Sequence, residues 1–143
     1  MTREEALRHR ELNKELEKER EKLAKLRAKM YAPNTASFTS GSVRSGYHNS
    51  HVETVALRAT AIEDRIYELE RKIFREYINL ISYRFCAGYP LGEVIRYYCI
   101  ECLEWNEIER KLGYEYSISS LKNRFNYYFK KQEQCADEEV NDV

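Results

Sequence analysis

Residues 105–131, WNEIERKLGYEYSISSLKNRFNYYFKK, carry the pattern from which the fold can be read. Trp105, Ile108 and Leu112 stand at i, i+3 and i+7, a narrow apolar stripe on a short helix. Gly113 follows where a left-handed C-cap belongs, and Ser117 then supplies an N-cap for the next helix. Beyond it Ile118, Leu121, Phe125, Tyr128 and Phe129 share one face at about 100° per residue. The spacing predicts two amphipathic helices closed against each other across a tight turn, a helix-turn-helix.

The same rotation sends Ser119, Asn123, Tyr127 and Lys130 outward, flanked by Ser120, Arg124, Asn126 and Lys131, with Lys122 nearer the apolar edge. No acidic residue lies among them. Residues 117–131 carry four basic and no acidic side chains, whereas 91–116 carry three and six, and 132–143 carry none and five. The whole chain is neutral, with 24 Lys and Arg against 24 Asp and Glu, so only this local distribution points to a polyanion. Short hydrogen-bonding side chains can reach base edges in the major groove of double-stranded DNA while Lys and Arg neutralise phosphates. The last amphipathic helix of any bundle presents a solvated polar face as well. The conjunction of stripe spacing, Gly113, Ser117 and an isolated basic segment favours the DNA reading.

Outward from this unit the 143-residue chain reads as all-α, with only 5 Gly and 2 Pro. Residues 1–30 form a charged N-terminal helix whose apolar positions, Leu12, Leu16, Leu23, Leu26 and Met30, make a heptad seam once Glu19 is accepted as one polar position. Residues 31–50, YAPNTASFTSGSVRSGYHNS, are Ser-, Thr- and Gly-rich, begin next to Pro33, and read as a flexible linker. A long heptad helix follows over 51–88, with Val55, Ala59, Ile62, Ile66, Leu69, Ile73 and Leu80 at three-and-four spacing. Leu16, Leu23, Ile62, Ile66, Leu69 and Ile73 are the expected oligomerisation seam. An antiparallel hairpin within one chain and a coiled coil between chains satisfy the two seams equally. Tyr89-Pro90 ends the long helix. The helix-turn-helix domain is expected over 89–131, with its first helix at 91–101, and 132–143 reads as an acidic disordered tail.

Several functional classes are disfavoured. No apolar run reaches the ~20 residues of a membrane span, and MTREEALRHR lacks the apolar core of a signal peptide, which points to an intracellular, reducing location. Cys86, Cys99, Cys102 and Cys135 are therefore expected as free thiols. Cys99 and Cys102 form one CxxC pair without the second pair a structural zinc site uses, and His9, His48 and His51 are scattered, so neither metal nor cofactor is expected. Without a Gly-rich phosphate loop, an HExxH motif or a nucleophile–base arrangement, the sequence argues against an enzyme.

The stretch IRYYCIECLEWNEIERKLGY with its Ser-capped basic helix resembles the sigma-factor region-four-like helix-turn-helix of small bacteriophage transcriptional regulators of the ArpU and RinA type. Arg96 and Tyr97 match the family's RY, Trp105, Glu107 and Ile108 its W-x-E-I, Leu112, Gly113 and Tyr114 its LGY, and Ser117 the residue that opens the recognition helix. The charged first helix, the Ser/Gly-rich linker and the helix VETVALRATAIEDRIYELERKI match the family layout, so the resemblance spans most of the chain. Two features depart from it: a longer spacing from Arg96 to Trp105, and the extra pair Glu115-Tyr116 in the turn. The resemblance implies control of phage gene transcription in the cytoplasm of a bacterial host, with RNA polymerase as a further candidate partner. Few contacts per unit imply a homodimer or higher homo-oligomer. The competing readings are a helical interaction protein that inhibits a host protein through its coiled coil, and a small terminase-like DNA-packaging subunit.

Overall fold

The computed structural model of the chain describes residues 1–31 and 47–141. Their regular structure is helical: α1 (Arg3–Tyr31), α2 (Tyr47–Ala87), α3 (Leu91–Ile95), a π-helical turn (Arg96–Ile100), α4 (Trp105–Lys111) and α5 (Ile118–Asn141). The architecture is all-α, with two long helices followed by short helical segments and then the 24-residue α5. The expected linker falls largely on residues 32–46, outside the described residues. No described helix is long and apolar enough to cross a membrane.

Helix α1 starts at a reciprocal cap. The Thr2 amide donates to Glu5 Oε2 (2.8 Å) and the Glu5 amide to Thr2 Oγ1 (3.2 Å), which satisfies two amides of the first turn. At the other end of the chain, residues 132–141 of the expected disordered tail continue α5, and 142–143 lie outside the described residues. Helix α5 runs on to Asn141, because no Gly or Pro follows Gly113 to stop it.

Packing divides the chain into two compact units, Glu15–Glu70 and Met1–Lys14 with Arg71–Val143, a division that cuts both long helices rather than following the sequence segments. In Glu15–Glu70 the two helices run antiparallel, with Leu16, Leu23, Val55, Ala59 and Leu69 buried and Ile62 and Ile66 half-buried. Arg20–Glu70 (2.9 Å), Arg27–Glu63 and Arg65–Glu15 lace their rims. Exposed pairs of this kind are screened by solvent and contribute little, so the leucine seam carries most of the stabilisation. Glu19 occupies the polar seam position; it is buried, and Lys22 (2.7 Å) and Arg65 (3.7 Å) hold its carboxylate. Within the chain this hairpin engages Leu16, Leu23, Ile62, Ile66 and Leu69; Ile73, in the other unit, is half-buried.

The second unit is built around Leu80, Val94, Ile95, Cys99, Ile108, Leu112, Leu121, Phe125 and Phe129, and the start of α1 enters it through Ala6. Here α1 runs antiparallel to the end of α2: the N-terminal amine donates to Tyr83 Oη, and Arg8 pairs with Glu76 at 2.6 Å. Between α2 and α3, Gly88 takes a left-handed φ of +67°. Gly92 is required for a different reason. A Cβ there would lie 2.6 Å from the Arg84 carbonyl oxygen, a backbone atom that cannot swing aside. Gly92→Ala is expected to lower the unfolding free energy by about 1–3 kcal/mol, an overpacking cost measurable by urea denaturation. An unchanged midpoint would contradict this close approach.

His9 is fully buried in this unit, with neither ring nitrogen hydrogen-bonded among the described residues. Its ring stacks on Tyr77 at 6.4 Å and its Nδ1 lies 3.9 Å from Glu76 Oε2. Burial pushes its pKa below the ordinary 6.5, and the Glu76 carboxylate opposes that shift only in part. The unfolded chain therefore binds the proton more readily. The resulting stability is fully present above pH 6.5 and is lost as pH falls through the lowered native value. His9→Leu is expected to flatten the fall in stability below pH 6.5, read by denaturation at stepped pH; an unchanged slope would exclude His9 as its source.

Candidate nucleic-acid interface

The helix-turn-helix expected from the sequence is assembled from local signals. Glu104 caps α4 by a capping box with Glu107, whose side chain accepts from the Glu104 amide at 2.9 Å. At the other end Gly113 (φ +68°) and Tyr114 (φ +60°) both turn left-handed. The Gly113 amide donates to the Arg110 carbonyl (3.1 Å) and the Tyr114 amide to that of Glu109 (3.0 Å), the paired bonds of a Schellman motif. Ser117 Oγ then accepts from the Ser120 amide at 3.3 Å and starts α5.

The segment between Arg96 and Trp105 departs from regular α-helix before α4 begins. Residues Arg96–Ile100 widen into a π-helical turn, closed by the Glu101 amide on the Arg96 carbonyl (3.0 Å), and Cys102 takes a left-handed φ of +57°. Arg10 of α1 secures the segment: its guanidinium donates to the Tyr98 (2.6 Å) and Leu103 (3.0 Å) carbonyls and to Glu104 (2.6 Å), and lies 4.1 Å from the Tyr98 ring centre. Nothing in the sequence marked Arg10 among ten basic residues of the first thirty; only its place on the face of Ala6 hinted at burial.

Leu121, Phe125 and Phe129 are buried and fix the rotation of α5, with Ile118 and Tyr128 half-buried beside them. Ser119, Asn123, Tyr127 and Lys130 are exposed on the far side, as are Lys122, Arg124, Asn126 and Lys131 on the flanks; Ser120 is half-buried. Two of the cations are partly preorganised. Arg124 lies 4.9 Å from the Tyr116 ring centre and Lys122 Nζ 5.6 Å from that of Trp105. All nine candidate residues thus share one helical stretch about 20 Å long.

Two features adjoin this face. Arg3 and Leu7 of α1 share a shallow recess with Lys122 and Asn126, which adds a basic residue on that flank, and the Arg3 amide donates to Glu133 further along α5 (3.2 Å). Glu115, the acid in the turn, accepts a hydrogen bond from Tyr89 Oη at 2.8 Å, and that bond raises the tyrosine pKa.

Of the CxxC cysteines, Cys99 belongs to the core and Cys102 is half-buried outside it. Cys99 is buried, which pushes its thiol up to about 12, and Cys102 is shifted upward for the same reason, so neither favours the thiolate form that binds metal. No three His, Cys, Asp or Glu side chains gather into a metal-binding group among the described residues. No protein-family model, curated protein or solved structure matches the chain.

Proposed function

We propose that this protein is a sequence-specific DNA-binding transcriptional regulator of the phage ArpU and RinA kind, and that α5 docks in the major groove. The observation that carries the reading is the exposed face of residues 119–131, which combines amide, hydroxyl and basic side chains with no carboxylate on a helix held rigidly by its buried face. Asn123 and Arg124 are the candidate base readers, since amide and guanidinium groups form bidentate pairs with adenine and guanine edges. Ser119, Ser120, Asn126 and Tyr127 complete the polar surface. Lys122, Lys130 and Lys131 are the phosphate contacts, which supply affinity and register without sequence information. RNA polymerase is a candidate second partner of a regulator of this kind.

Single substitutions separate the two roles. Lys130→Ala is expected to weaken binding to every duplex alike and to reduce the slope of log affinity against log salt by about 1. Asn123→Ala is expected to cost about 1–3 kcal/mol on the preferred site and little on unrelated DNA. Fluorescence anisotropy with a preferred and a scrambled duplex reads both. Equal affinity of the parent protein for the two would contradict the sequence-specific reading.

A further inference from the structure

A second apolar stripe on α2 faces away from the core. Phe74, Ile78 and Phe85 are 66%, 58% and 74% exposed, and Ile81 between them is half-buried. These four residues follow heptad steps of four, three and four, on a different face from the Leu69, Ile73 and Leu80 seam. Three large exposed apolar side chains in one row form a contiguous patch, unlike scattered surface residues, and such patches mark interaction sites.

The order of residues in the stripe indicates its occupant. Read in either direction the spacing is the same, Phe-x3-Ile-x2-Ile-x3-Phe, with its midpoint between Asn79 and Leu80. Two antiparallel copies related by a two-fold axis at that midpoint set Phe74 of each against Phe85 of the other, and Ile78 against Ile81. This is the self-complementarity an isologous interface requires. The rims agree with the register. Arg75 comes opposite Ser82, and Tyr77 opposite Arg84, whose charge is already paired with Glu93 at 2.9 Å.

We infer that a second copy of this chain docks on this stripe as an antiparallel, two-fold dimer. The contact joins four side chains per copy, on the order of 1,000 Å² over both, the low end for a specific interface, so the dimer dissociates on dilution. It stands without DNA; combined with the proposed function it brings two recognition helices to one site, as paired half-sites require.

Light scattering of the full chain across the micromolar range tests the inference apart from DNA binding. The mass is expected to rise from one chain to two, and Ile78→Glu is expected to hold it at one chain with unchanged helical circular dichroism. A wild-type mass of one chain throughout, or a dimer undisturbed in Ile78→Glu, overturns the inference. Disulfide cross-linking in a Cys86→Ser, Cys135→Ser background reads the register. Phe74→Cys chains mixed with Phe85→Cys chains are expected to cross-link, and Phe74→Cys chains alone are not; a Phe74→Cys homodimer overturns the antiparallel arrangement.

Discussion

Arg10→Ala is expected to lower the unfolding free energy by about 3–5 kcal/mol, the largest single-residue loss on the polar side of the structure. Arg10 is 3% exposed. Its ion pair with Glu104 contributes little, because that carboxylate is largely solvated. The cost comes from the carbonyls of Tyr98 and Leu103, which the π-helical turn and the left-handed Cys102 leave facing Arg10. Alanine would leave them without that donor at the edge of the core, and would also remove the planar group from the face of Tyr98. Arg10→Lys is expected to recover only a minor part, since one ammonium cannot span both carbonyls and Glu104 as the guanidinium fork does. Urea denaturation followed by circular dichroism measures the loss; a change below about 1 kcal/mol would show that the start of α1 is not what holds this segment.

The largest expected effect on binding comes from neutralising the basic residues of α5 together. Replacing Lys122, Arg124, Lys130 and Lys131 with glutamine is expected to make the slope of log affinity against log salt shallower by about 3–4, and to reduce affinity for any duplex by several orders of magnitude near physiological salt. Stability should change little, because all four are exposed and the contacts of Arg124 with Tyr116 and Lys122 with Trp105 contribute roughly 0.5–1 kcal/mol each. A quadruple variant that is folded and still binds DNA with the parent salt slope would remove α5 from the interface. Activity that survives these changes and fails on polar substitution of an apolar helix face would identify a protein-binding module instead.

The parts of the fold legible in the sequence are those fixed by local chemistry. Gly113, Ser117 and the stripe Leu121, Phe125, Phe129 act within one or two turns of themselves, and each stands where the spacing placed it. The two heptad seams were legible as seams, but their partners were not, because apolar periodicity is the same for a partner within the chain and one outside it. Long-range polar contacts left no pattern at all. Arg10 looks like any other cation of a charged helix, and its carbonyl partners lie 88 and 93 residues away. An acidic composition is compatible with a helix as well as with a disordered tail, and α5 continues to Asn141, where Glu133, half-buried, holds the Arg3 amide. The outward stripe from Phe74 to Phe85 was masked by the stronger Ile62–Ile73 seam, and becomes evident only once the buried face of α2 is known. For the candidate interface, the helix and its outward residues were readable, whereas the contribution of Arg3 beside Lys122 and Asn126 depended on the tertiary packing of α1.

The most direct test of the central claim is binding of the purified chain to DNA fragments spanning its own genomic neighbourhood, titrated over salt with non-specific competitor present. The account predicts that one fragment is retained against competitor, with affinity falling steeply as salt rises. Absence of binding to every fragment at low salt would contradict it.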